Sequence, residues 1–175
     1  MPGRIVMLRA VNVGGATLPM ADLREIAEDL GATQVRTYIA SGNLLCRPPG
    51  DPADFDRALE AAVQVRFGFH RECISRTVEE LQSALEAHPF EVVEPRLSHL
   101  YFLLAEPTEA AVDALAAQDW GGDEVAVIGR DLHIRYATGV AGSRLTAPRI
   151  AKALGVQGTG RNIATVRKLI ELARP

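Results

Sequence analysis

RIVMLRAVNVGGATLPMADLREIAEDLGATQVRTYIASGNLLCR, residues 4–47, decides the fold. Its opening, 4–10, is apolar on both alternating faces, as a strand covered on both sides must be. A glycine-bearing loop, VNVGGAT (11–17), follows. Pro19 then opens a helix in which Leu23, Ile26, Ala27 and Leu30 form one stripe, and Gly31 closes it. TQVRTYIA (33–40) and NLLCR (43–47) read as two short strands joined through Ser41-Gly42, a hairpin.

Working outward, Asp51-Pro52 starts a second helix with Phe55, Leu59, Ala62 and Val63 inward and Gly68 as its terminator. HRECIS (70–75) is a fourth strand. Thr77-Val78-Glu79-Glu80 matches a capping box and opens a third helix that ends near His88-Pro89. The order then repeats. SHLYFLLA (98–105) is a strand, and Pro107 or Thr108 begins a helix through Leu115. DEVAVI (123–128) and DLHIRYA (131–137) form a hairpin about Gly129-Arg130. Thr146 to Leu154 is a helix closed by Gly155, GVQGTG (155–160) is a final strand, and Asn162 caps a last helix through Leu172. Arg76-Thr77-Val78-x-x-Leu81 also matches Arg161-Asn162-Ile163-x-x-Val166 in residue type.

The pattern predicts an α+β protein of two ferredoxin-like (β-α-β-β-α-β) halves with an additional helix after each. The halves are expected at 1–90 and 98–175, with EVVEPRL (91–97) as the linker. In this topology the first and third strands are central, and right-handed crossovers set the strand directions. The end of the first strand, the start of the first helix and the Ser41-Gly42 hairpin then share one edge. Segments 9–15 and 38–43 become neighbours there, which gathers Arg9, Asn12, Gly14, Gly15, Tyr38, Ser41 and Asn43.

Composition narrows the function classes. Apolar residues make up 47 % of the 175 and charged residues 23 %, an ordinary globular balance. No stretch approaches the ~20 apolar residues of a membrane span, and the N-terminal apolar run is too short for a signal peptide. A cytoplasmic location without membrane attachment is expected. Cys46 and Cys73 lie in apolar surroundings without CxxC spacing, so buried thiols are expected. His70, His88, His99 and His133 lack ligand spacing, so no metal and no cofactor are expected. Alternation of Asp131, His133 and Arg135 with Leu132, Ile134 and Tyr136 predicts one sheet face that stays wet. Charge is uneven: residues 1–129 carry a balance of −10 and residues 130–175 one of +7, within a net −3. The basic segment either faces a polyanion or packs beside the acidic half.

The same residues carry a family likeness. RAVNVGG (9–15), PMADLREIAEDLG (19–31) and YIASGN (38–43) resemble the RGINVGG, PMxxLR and YIQSGN patterns of the domain of unknown function 1697 family, a bacterial group. HPF (88–90) is similar to its N/H-P-F, and TGRNIATVRKLIEL (159–172) to its TxRNWNTVxKLxEL ending. The resemblance implies two ferredoxin-like subdomains and no particular reaction. Ala10, Ala40, Ile163 and Ala164 stand where that pattern has Gly, Gln, Trp and Asn.

Three functional readings follow. The first is a binding module for a phosphate-bearing or other anionic ligand, nucleotide or nucleic acid at the 9–15 and 38–43 edge. Its glycines allow close backbone approach, and Arg9 offers a charged fork. Arg144, Arg149, Lys152, Arg161, Arg167 and Lys168 would extend it for a polyanion. The first and third strands hold no aromatic residue, which disfavours base stacking on that sheet. The second reading is a phosphate-ester or acyl-phosphate hydrolase. Acylphosphatases place an Arg-bearing loop after the first strand and an Asn on the third, so Arg9 and Asn43 correspond by analogy of fold alone. No Ser/His/Asp or Cys/His arrangement supports another chemistry, and the balance leans away from an enzyme. The third is a non-catalytic interaction or scaffold protein. The binding module is the reading adopted from sequence.

Overall fold

The computed structural model describes residues 3–174. Its first half comprises β1 (Arg4–Leu8), α1 (Met20–Asp29), β2 (Thr33–Tyr38), β3 (Asn43–Arg47), α2 (Pro52–Phe67), β4 (Cys73–Arg76) and α3 (Val78–Glu86). The second comprises β5 (Ser98–Leu103), α4 (Glu109–Ala116), β6 (Glu124–Ile128), β7 (Asp131–Arg135), α5 (Ala147–Leu154), β8 (Gly158–Asn162) and α6 (Ile163–Ala173). Two four-stranded antiparallel sheets result, ordered β2-β3-β1-β4 and β6-β7-β5-β8. The first and third strands of each half are central. The fold is α+β, with two ferredoxin-like halves and one further helix after each.

Local chemistry sets the element ends. The Asp51 carboxylate accepts from the amides of Ala53 and Asp54, and Gly68 closes α2 at φ +78°. Thr77 and Glu80 reciprocate as a capping box, with Glu80 N donating to Thr77 Oγ1 at 3.1 Å and Thr77 N to Glu80 Oε2 at 2.7 Å. Gly155 is the left-handed cap of α5, which prevents a strand from starting there. The last strand therefore runs Gly158–Asn162 rather than 155–160, and it takes in Arg161.

By compactness the chain divides into two units. One holds the residues up to Leu81 together with those from Leu169 on; the other is Gln82–Lys168. In the first unit Arg36 Nη2 donates to Leu172 O at 2.6 Å. Val6, Leu8, Leu44 and Cys46 on one face of its sheet pack with Leu23, Ile26, Phe55, Leu59 and Val63. Each such side chain contributes roughly 1.5–3 kcal/mol on burial. The opposite face, Ile5, Met7 and Leu45, is buried as well, as the uniformly apolar first strand requires. Cys46 and Cys73 are free thiols, both buried. Asp56 on α2 is also buried. It accepts from Ser75 Oγ at 2.6 Å, and burial raises its carboxyl to about 6 against that hydrogen bond and the Arg57 and Arg4 charges.

In the second unit Leu103, Leu132 and Ile134 pack with Leu115, Ile150 and Leu154. The Tyr101 ring lies over β8, where a Cβ on Gly158 would come within 2.7 Å of it and one on Gly160 within 3.0 Å. Only glycines let that ring sit flat against the strand. The expected wet face of β7 is not wet. His133 is wholly buried, and its Nδ1 lies 3.1 Å from His88 Nδ1, so Asp131 and Arg135 alternate with a covered imidazole. Burial, with His88 beside it, pushes the His133 imidazole down to about 4.

Register is equivalent in the two halves. Ile5 pairs with Leu45 and Arg76, and Leu100 with His133 and Arg161. Arg76 and Arg161 thus occupy equivalent positions, both are buried, and each precedes a helix cap: Thr77 for α3 and Asn162, which accepts from Thr165 N, for α6. The residue likeness between these two helix starts is therefore a likeness of place as well. Among the described residues no helix is long and apolar enough to cross a membrane.

Candidate functional site

The antiparallel order brings the end of β1, the loop to α1, the hairpin between β2 and β3 and the start of β4 to one edge of the first sheet. Segments 9–15 and 38–43 meet there. Leu8 N donates to Gly42 O at 2.9 Å, and Asn12 Nδ2 donates to Ala40 O. The contact is close enough that a Cβ on Gly42 would lie 2.5 Å from Val11 Cγ2 and 3.2 Å from Leu8 Cβ. Gly42, at φ +80°, is the only residue type that fits.

Asn12 staples this edge. Its Nδ2 also donates to Leu18 O at 2.9 Å, and its Oδ1 accepts from Leu18 N at 2.8 Å. The side-chain amide is therefore committed to holding the loop against the hairpin. Asn43 plays a comparable part on the other side. It is fully buried, and its Nδ2 donates to Tyr38 O and to Ser41 Oγ, both at 3.0 Å. Tyr38, paired with Asn43 across the ladder, and Ser41 are half-buried.

Arg9 does not stand free. Its Nε donates to Glu72 Oε2 at 2.7 Å and its Nη2 to Oε1 at 3.4 Å, while Arg9 N donates to Glu72 O. Burial alone would raise the Glu72 carboxyl, yet the Arg9 hydrogen bond and charge hold it below the usual carboxylate range. Arg71 sits alongside, its Nε donating to Ala10 O at 3.0 Å and its guanidinium 5.2 Å from the Phe69 ring centroid. Neither Arg71 nor Glu72 is marked by any sequence motif. They join the edge because Leu8 pairs with Cys73, which sets residues 9 and 72 side by side.

Solvent-facing material comes from the loop itself. Val13, Gly14 and Gly15 are exposed, and a Cβ on either glycine would meet nothing within 4 Å. Among the described residues none accepts a hydrogen bond from the backbone amides of Val13, Gly14 and Gly15. The backbone here is unusual. Ala10, Asn12, Gly14, Gly15, Ile39 and Gly42 all have positive φ, between +51° and +87°. Three of these are not glycine, and such outliers gather where a surrounding structure imposes them.

Arg161 belongs to the other unit. It lies on β8 of the second sheet, is 7 % exposed, and donates to Thr159 Oγ1 and Gly160 O, each at 2.8 Å. Burial lowers its guanidinium to about 10. Among the described residues no group of three or more His, Cys, Asp or Glu side chains is placed to hold a metal ion.

Fold and edge together define a protein of two ferredoxin-like units with a loop-built edge on the first. The chain belongs to the DUF1697 family, proteins of unknown function, whose family model matches residues 1–133. A solved structure of a conserved bacterial protein from Streptococcus pneumoniae is similar with a TM-score of 0.78 and 18 % identity, covering 100 % of this chain and 99 % of that one. At that identity the likeness is one of fold. Comparison with curated proteins gives no match.

Proposed function

We propose that this protein is a non-catalytic binding module for a small phosphate-bearing or other anionic ligand, held at the edge formed by residues 9–15 and 38–43. One observation carries the reading: three consecutive exposed amides, those of Val13, Gly14 and Gly15, without an acceptor in the described chain. Left-handed backbone beside right-handed backbone turns successive N–H groups toward a common point, the geometry of an anion-binding concavity, and Gly14 is left-handed at φ +60° where Val13 before it is not. The neighbouring charges favour a small anion over a nucleic acid. Arg9 is held by Glu72, and Arg71 is spent on backbone carbonyls, so the edge lacks the row of free cations that phosphate backbones require. Hydrolysis finds no comparable support, because the Asn43 amide is buried and bound within its own hairpin. The free thiols Cys46 and Cys73 accord with the cytoplasm as its compartment.

The test is a backbone-amide NMR titration with inorganic phosphate at low ionic strength. Saturable shifts confined to residues 12–17 and 39–42 are expected. Shifts elsewhere, or none at millimolar phosphate, would overturn the reading.

A further inference from the structure

Ile39 is held in a conformation that a β-branched residue resists, φ +52°, and the residue is nonetheless 49 % exposed. Strain of that kind is ordinarily offset by burial or by a side-chain hydrogen bond, and Ile39 has little of the first and cannot make the second. Val13 is similar in its exposure, at 60 %. Both residues lie one position in sequence from the hydrogen bond between Asn12 and Ala40, which brings their two backbone segments to the same joint. The free amides of 13–15 begin at that point. A bare anion would use the amides and leave two isolated apolar groups in water beside it.

We propose that the ligand is a small amphipathic anion, with a phosphate or carboxylate head on the Val13–Gly15 amides and an apolar body against Val13 and Ile39. This rests on the anion-binding reading of the edge and adds the class of molecule. Ile39 is then a specificity-determining residue. Its exposed side chain packs on the body of the ligand, and that contact distinguishes an organic phosphate from inorganic phosphate.

The probes are inorganic phosphate, phenyl phosphate and benzoate, titrated by calorimetry and amide NMR against the full chain and two variants, Ile39→Asn and Val13→Ser. Wild type should bind phenyl phosphate roughly 10-fold or more tightly than inorganic phosphate, the ratio expected from covering part of one ring. The ratio of phenyl phosphate to benzoate affinity identifies the preferred head. Asn tolerates left-handed backbone, so Ile39→Asn should melt no lower than wild type. It should also lose most of the preference for phenyl phosphate over inorganic phosphate. Val13→Ser should lose part of that preference. Equal wild-type affinity for the two phosphates, or a preference untouched by Ile39→Asn, overturns this proposal and leaves anion binding standing. Absence of response to every probe overturns both.

Discussion

Lowering the pH from 7 to 5 should shift stability through two buried groups in opposite directions, and replacing one of them should expose the other. His133 is wholly buried, and burial together with His88 pushes its imidazole from 6.5 to about 4. The unfolded chain then binds more protons than the folded one across that window. The stability is fully present above pH 6.5 and is lost as pH falls toward 4. A difference of that size amounts to about 3 kcal/mol in all, and about 2 kcal/mol of it is lost between pH 7 and 5. Asp56 acts with the opposite sign. Its folded carboxyl is raised to about 6, so the folded chain holds the extra proton, and acidification over the same range restores about 1 kcal/mol.

The perturbation that separates them is His133→Leu. Leu45, at the equivalent register position of the first sheet, is buried with 2 % exposure, so the fold accommodates leucine at this place. His88 is half-buried, which lets its freed Nδ1 turn toward water. Trp120, the one tryptophan, is buried in the second unit's core and reports that unit's unfolding by fluorescence. Urea melts at pH 7 and pH 5 should show wild type losing about 2 kcal/mol more than the variant. Titrating groups remote from His133 cancel in that difference, and His88 acts in the same direction as His133, because burial lowers its imidazole too. Equal losses in the two proteins would refute the assignment of the acid-sensitive proton to His133.

Two further outcomes concern the edge. Ala10→Gly relieves a left-handed alanine at φ +51°, worth about 1–2 kcal/mol, against up to ~1 kcal/mol of added unfolded-state entropy. Thermal unfolding should rise by about 1–4 °C, and a fall would show that the strain is not there. Gly42→Ala places a Cβ 2.5 Å from Val11 Cγ2 on a backbone at φ +80°, so denaturant melts should show a loss of at least ~2 kcal/mol. A neutral result would mean that hairpin and loop do not pack as described.

The meeting of segments 9–15 and 38–43 was legible because it depends only on strand order and crossover hand, both of which follow from element type. What lay beyond reach depends on register. Nothing in HRECIS marks Glu72 as the partner of Arg9; that follows only from Leu8 pairing with Cys73. Asn12 and Asn43 were legible as polar residues at the edge, but their tasks were not. A side-chain amide that closes a loop has the same letter as one that meets a ligand, and only hydrogen-bond partners separate the two. His133 was misread for a similar reason. Alternation tells which residues share a face, and it does not tell whether something covers that face.

Duplicated architecture makes the edge easier to interpret, because the second half supplies an internal control. Leu103 N donates to Arg130 O as Leu8 N does to Gly42 O, and Leu104 N donates to Gln157 O as Arg9 N does to Glu72 O. The backbone frame is therefore the same at both edges. The side chains on it are not: Leu104 and Gln157 stand where Arg9 and Glu72 form their ion pair. The second hairpin closes in two residues, Gly129 and Arg130, where the first uses four, 39–42. Sheet folding alone thus needs neither the longer hairpin, nor a glycine at position 42, nor left-handed Ala10 and Ile39. Those features are additions to a frame that closes without them. Left-handed backbone at residues other than glycine occurs, among the described residues, only in the first half, at Ala10, Asn12, Gln34 and Ile39, and three of those four lie at this edge. Their concentration at one edge, around three exposed amides, is what a binding task confined to that edge would require.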